Sequence, residues 1–166
     1  MYRKRPPMSR VQLALNVSDL DEAVAFYSKL FATEVSKRKP GYANFAIADP
    51  PLKLVLIEDP AGGTLNHLGV EVETADEVVA AEARLSDDGL ATTGVDDTTC
   101  CYAEKTETWV NDPDGAPWEW YVKTGDAEQM GSTIREGADT GACCSPAAIS
   151  ESVALGSAPG SAQGCC

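Results

Sequence analysis

The chain has 166 residues, 43% of them hydrophobic, and a formal net charge of −13. That length suits a single domain with room for a core. Such a negative charge repels phosphate backbones and anionic lipid, which argues against nucleic-acid and membrane partners, and no run approaches the roughly 18 apolar residues of a membrane-crossing helix.

Met1–Arg10 is basic, contains Pro6 and Pro7, and is not followed by the apolar run of a signal peptide. It reads as a flexible arm over residues 1–8, or as a misplaced start with Met8 the true initiator. Val11–Val17 alternates and predicts a strand with Val11, Leu13, Leu15 and Val17 on one face and Gln12, Ala14 and Asn16 on the other. A helix follows. Ser18 or Asp19 can cap it, and Asp21 and Glu22 suit its positive end. Leu20, Ala23, Val24, Tyr27, Leu30 and Phe31 form its apolar stripe. Tyr42–Ala48 and Lys53–Glu58 read as strands on either side of the turn Asp49-Pro50-Pro51.

After the linker Asp59–Gly63 the pattern restarts. His67–Val72 is a second alternating strand, and Thr74–Asp88 a second helix opened by a Thr74/Glu77 capping box, with Val78, Ala81 and Leu85 on its buried side. Ala91–Val95 reads as a short strand. Thr98–Ala103 reads as a polar, movable loop at a cleft mouth. Glu107–Asn111 and Trp118–Lys123 complete the set, joined by the turn Asp112-Pro113-Asp114-Gly115. The order strand, helix, then a run of strands therefore occurs twice. The predicted class is α+β: paired βαβββ modules over residues 9–60 and 61–124 of one domain, forming a curved mixed sheet around a cleft. From Gly125 onward Gly, Ala and Ser dominate and aromatic residues are absent, so residues 125–166 are expected to form a flexible tail.

Three polar residues fall at related places in this scheme. Gln12 and His67 each precede a leucine that must face a helix, so both point to the concave side. Glu119 lies between Trp118 and Trp120 and points away from their face. Singly, each has an ordinary reading as a polar strand residue or a hydrogen-bonded histidine. Together they offer one nitrogen and two oxygen donors to a divalent ion. Lys53, at the fourth equivalent place, would not ligate, so the ion would keep open positions.

The six cysteines form three adjacent pairs, Cys100–Cys101, Cys143–Cys144 and Cys165–Cys166. Adjacent cysteines make poor disulfide partners for each other, since a trans peptide sets their Cα atoms only about 3.8 Å apart. Nor does this spacing resemble a disulfide scaffold, which spreads its cysteines to close loops. All six read as reduced cytoplasmic thiols. Cys100 and Cys101 can grip one thiophilic atom between two sulfurs, or serve as two small apolar residues.

The segments V-Q-L-A-L-N-V, F-Y-S-K-L-F, P-G-Y-A-N-F-A-I, P-P-L-K-L-V-L-I-E, N-H-L-G-V-E-V, T-T-C-C-Y-A and D-P-D-G-A-P-W-E-W-Y resemble the vicinal oxygen chelate superfamily. Within it they resemble the ArsI/CadI family of heavy-metal-resistance metalloenzymes, over Met8 to about Thr124. The resemblance implies the vicinal oxygen chelate fold and an Fe(II)-dependent dioxygenase. Such an enzyme cleaves the carbon–arsenic bond of trivalent organoarsenicals, such as methylarsenite or trivalent aromatic arsenicals, to inorganic arsenite. It implies Gln12, His67 and Glu119 as ligands of Fe(II), for which Ni, Co, Mn or Zn could substitute. It implies Cys100 and Cys101 as substrate thiols, O2 as co-substrate, and a monomer or homodimer. Lys105 is close enough in sequence to lower a cysteine pKa. Cys143, Cys144, Cys165 and Cys166 are auxiliary thiols to which the resemblance assigns no role. The alternative from the same residues is a non-catalytic cadmium- or arsenite-binding resistance protein acting through its thiol pairs.

Overall fold

The structure, a computed structural model, describes residues 9–131 and 133–134. Its first module comprises β1 (Arg10–Val17), α1 (Leu20–Leu30), β2 (Lys37–Lys39), β3 (Tyr42–Ile47) and β4 (Leu52–Glu58). The second comprises β5 (Thr64–Glu71), α2 (Ala75–Asp87), β6 (Asp96–Cys100), β7 (Ala103–Asn111) and β8 (Pro117–Asp126), and a short β9 (Thr133–Ile134) follows. All strands join one sheet in the order β2-β3-β4-β1-β5-β8-β7-β6-β9. β1 runs parallel to β4, and β5 parallel to β8. The modules meet through the antiparallel pair β1/β5. The expected α+β fold of two βαβββ modules in a curved mixed sheet is the fold observed.

The two faces of the sheet are sorted by the period of two. Leu13, Leu15, Leu54, Leu56 and Phe45 pack with Leu20, Ala23, Val24 and Tyr27 of the α1 region. Val70, Val72, Trp120 and Val122 do the same with Val78 of α2. Each apolar side chain wholly buried this way contributes about 1.5–3 kcal/mol. Local signals start both helices where expected. The Asp19 side chain accepts from Glu22 N at 2.8 Å, and Thr74 and Glu77 exchange the hydrogen bonds of a capping box, a kind of contact worth roughly 0.5–2 kcal/mol. With the helices on one face, alternation leaves Gln12, Ala14, Lys53, Val55, His67 and Glu119 on the other.

Three departures from the sequence reading bear on function. β2, which carries no apolar signal, exists through its backbone pairing with β3. Ala91–Val95 contributes only an isolated bridge, Thr92 to Val110. The strand begins at Asp96 instead and runs through Thr98, Thr99 and Cys100 against β7. Thus the first cysteine, itself buried, ends a strand and is not in an open loop, because two adjacent β-branched threonines and a full ladder partner favour extension. Finally, the chain stays in the fold past Thr124. β8 extends to Asp126, β9 pairs with β6, and the carbonyls of Met130 and Gln129 accept hydrogen bonds from Cys101 N and Tyr102 N. Composition speaks to side-chain burial, whereas these contacts are largely backbone hydrogen bonds. The rest of the expected tail, with Cys143, Cys144, Cys165 and Cys166, and the expected arm over residues 1–8 lie outside the described residues. Among the described residues no helix is long and apolar enough to cross a membrane.

Candidate functional site

Gln12, His67 and Glu119 converge at the centre of the concave face. They come from β1, β5 and β8, three adjacent strands, and all three are buried, at 2%, 2% and 0% exposure. Gln12 Nε2 donates to Glu119 Oε2 at 2.8 Å and lies 3.0 Å from His67 Nε2. His67 Nε2 and Glu119 Oε2 are 3.5 Å apart. The other histidine nitrogen, Nδ1, lies 2.7 Å from Asn66 Oδ1. An Nδ1–H donated to that acceptor leaves the Nε2 lone pair facing the cluster, the arrangement that prepares an imidazole to ligate a metal.

The register revises the symmetry expected from sequence. Gln12 pairs with Lys53 across β1/β4, while the residue paired with Glu119 across β5/β8 is Gly69. Gly69, not His67, therefore matches Gln12 in the ladder, and His67 reaches the same point from two residues earlier on the same face. Gly69 also faces Gln12 across β1/β5. A Cβ at Gly69 would lie 3.0 Å from the Glu119 carbonyl oxygen and 3.3 Å from Gln12 Nε2. The missing side chain is thus the space that the Gln12 amide crosses. Sequence reasoning passed over Gly69, although a glycine inside a strand is a signal of close approach.

Around the three donors sits a buried network. Lys105 Nζ lies 2.5 Å from Glu119 Oε1 and 3.9 Å from Glu107 Oε2. One carboxylate oxygen of Glu119 is therefore held by Lys105 while the other faces His67 and Gln12. The Tyr121 hydroxyl donates to Gln12 Oε1 at 2.5 Å. A half-turn of the Gln12 amide, whose ends differ only in their hydrogen bonds, would aim Oε1 at the other two donors and Nε2 at the Tyr121 oxygen. Burial alone would raise the Glu119 carboxyl, but the Lys105 ammonium holds it well below the usual carboxylate range. Burial would likewise lower Lys105, yet the charge of Glu119 keeps its ammonium protonated. Burial, followed by the charge of Glu119, pushes Glu107 up to about 8. An imidazole nitrogen, a carboxylate oxygen and an amide oxygen at one buried point suit a divalent metal with positions left open. Among the described residues no group of three His, Cys, Asp or Glu side chains could hold a metal. A site completed by an amide does not depend on one.

The vicinal cysteines lie in the tightest turn of the second module. Cys100 pairs with Ala103, leaving Cys101 and Tyr102 as the two central residues of a hairpin. Both have positive φ, 55° and 58°, the conformation of a type I′ turn that Asn-Gly usually fills. Holding two non-glycine residues there costs on the order of 1–3 kcal/mol each. Surrounding bonds secure the turn: Lys37 Nζ donates to Tyr102 O at 2.5 Å, and Tyr102 Oη donates to Pro40 O at 3.0 Å. The turn brings the two Sγ atoms to 2.9 Å, and both residues are buried.

One expectation for this pair changes. Lys105, expected to stabilise a thiolate, ion-pairs with Glu119; its charge does favour the Cys101 thiolate, but burial outweighs it and pushes the thiol up to about 12.

A cavity of about 530 Å³ opens onto the site, and Gln12, His67, Cys101 and Lys105 all line it. Residues 10–120 match the Glyoxalase/Bleomycin resistance protein/Dioxygenase superfamily, and the chain belongs to that superfamily. Its relatives narrow this further, to the group that holds CadI proteins and trivalent organoarsenical cleaving enzymes. It is 60% identical to the cadmium-induced protein CadI of Mycobacterium tuberculosis over 129 residues, covering 77% of this chain and 85% of that one. It is 55% identical to a trivalent organoarsenical cleaving enzyme of Thermomonospora curvata over 141 residues, covering 84% and 90%. Among solved structures, homoprotocatechuate 2,3-dioxygenase from Arthrobacter globiformis shares the fold at a TM-score of 0.54 and 21% identity, covering 75% of this chain and 38% of that one.

Proposed function

We propose that the protein is an Fe(II)-dependent carbon–arsenic lyase that converts trivalent organoarsenicals and O2 to inorganic arsenite in the cytoplasm. The observation that carries this reading is the shared cavity: Cys101 lines the same space as Gln12 and His67. Gln12, His67 and Glu119 would hold the metal, and Fe(II) bound there would supply activation of O2. The remaining work falls to the chain itself. With both cysteines as thiols, the two sulfurs can displace both hydroxyls of an arsenical of the form R–As(OH)2. Each thiol proton leaves with one hydroxyl as water, so capture does not require a thiolate at equilibrium. Two sulfurs on one turn gain the chelate advantage of a second contact made at high effective concentration. Capture leaves the organic group as the one remaining arsenic substituent. The secured type I′ turn sets its direction, and burial keeps bulk water out. Lys105 fixes the rotation of the Glu119 carboxylate, and Tyr121 that of the Gln12 amide.

The test is aerobic incubation of the reduced, Fe(II)-loaded protein with methylarsenite, followed by arsenic speciation. Arsenite should appear. His67→Ala should abolish its release while methylarsenite still binds, and Cys101→Ser should keep the metal but lose cleavage. Full cleavage by both variants would refute the assignment. A second reading, sequestration of cadmium or arsenite, draws on the relatives named cadmium-induced protein. It predicts bound arsenical with no arsenite released.

A further inference from the structure

The cavity mouth holds more cations than its neighbouring carboxylates can neutralise, in a chain whose formal net charge is −13. Two carboxylates there are each shared by two cations. Glu71 takes Arg10 Nε at 2.5 Å and faces Lys53 Nζ at 3.5 Å. Asp126 takes Lys37 Nζ at 2.6 Å and Lys123 Nζ at 2.8 Å. The other cavity cations have carboxylates of their own, Lys39 with Glu128 and Lys105 with Glu119 and, at 3.9 Å, Glu107. Glu107, behind Lys105, is not part of the cavity wall.

Of the shared cations, Lys53 is set to meet a ligand. It pairs in register with Gln12 on the neighbouring strand, so its stem enters the same concave face beside the metal donors. Its side chain is only 10% exposed, and its Nζ lies 5.0 Å from the centre of the Tyr121 ring. A buried ammonium whose carboxylate partner is already engaged by Arg10 gains from a second anion, because charges attract more strongly where water is excluded. The partly buried Lys37 and the exposed Lys123 at the rim add a field that draws anions inward. The cavity, at about 530 Å³, is also far roomier than a methyl group on arsenic requires and is of a size that takes drug-sized ligands.

We propose that this cavity prefers organoarsenicals whose organic group carries an acidic substituent, and that Lys53 is the cation that pairs with it. The proposal rests on the organoarsenical reading above. It is tested with the reduced, Fe(II)-loaded full chain by comparing kcat/KM for trivalent 4-carboxyphenylarsenite and trivalent phenylarsenite. The carboxylate should be favoured by roughly tenfold or more, and the preference should shrink as salt rises, since exposed steering charges are screened. Lys53→Met should move the ratio toward one, and Lys53→Arg should keep a preference for the acid. A ratio of one or less in the unmodified protein, where folding is not in question, would overturn the proposal while leaving the lyase reading intact. Cleavage of neither compound would overturn both.

Discussion

Lys105 links the stability of the site to the proposed metal, and Lys105→Met exposes that link. Lys105 is 4% exposed, its ammonium lies 2.5 Å from Glu119 and 3.9 Å from Glu107, and both carboxyl-bearing residues are themselves buried. Methionine keeps most of the volume but leaves Glu119 without its main counter-charge. Removing one partner of a buried ion pair costs about 3–5 kcal/mol. For a domain of this size a loss of 1 kcal/mol lowers Tm by about 3–5 °C, so the metal-free variant should melt roughly 10–20 °C below the unmodified chain. A divalent ion changes the balance. It would take Glu119 Oε2, the oxygen that faces His67 and Gln12, and replace the lost positive charge. The variant lacks the ammonium that opposes a cation, so it should also bind the ion more tightly. A ligand at 100 times its Kd stabilises by about 2.7 kcal/mol, and the gain should be larger in the variant. The assay is thermal unfolding of both proteins with and without excess Fe(II) under anaerobic conditions, or with Mn(II) or Co(II) in air. An unchanged Tm in the metal-free variant would refute the burial argument. An equal gap with and without metal would refute the placement of the ion on Glu119.

Two further outcomes test the same geometry. Gly69→Ala sets a Cβ 3.0 Å from the Glu119 carbonyl and 3.3 Å from Gln12 Nε2, so it should cost about 1–3 kcal/mol as overpacking and weaken metal binding more than Gly131→Ala, where a Cβ meets nothing; equal metal affinity in the two variants would show that Gln12 does not depend on that gap. Cys101, raised to about 12 from an ordinary 9.0, keeps its proton through neutral pH, so alkylation of the reduced chain by iodoacetamide at pH 8 should run about a thousandfold slower at this residue than at an exposed thiol, and should still rise with pH beyond 9; a plateau near 9, followed by peptide mass spectrometry, would mean the thiol is exposed.

What could be read along the chain was whatever rests on local chemistry. The alternation of Val11–Val17 shows which residues share a face. The Thr74/Glu77 box starts α2 by hydrogen bonds between near neighbours, and the two tryptophans beside Glu119 turn that carboxylate inward. The repeat of element order was legible for the same reason, and with it the meeting of Gln12, His67 and Glu119. Register was not legible. A slip of two residues preserves every inward and outward assignment, so sequence could equate Gln12 with His67 while the ladder sets Gly69 there. Nor could the charge pairing be read. Lys105 looked like a neighbour of the cysteines, four residues from Cys101, but β7/β8 pairing sets it opposite Lys123, and its ammonium reaches along the sheet to Glu119 at 2.5 Å. The behaviour of Cys101 followed from both. A polar stretch of Thr and Asp suggested an open loop, but pairing with β7 and packing beside Tyr42 and Tyr102 bury the turn. Burial then outweighs the nearby positive charge. Pattern and capping act over a few residues of one segment, whereas register, ion pairing and burial depend on distant segments that meet only when the sheet closes.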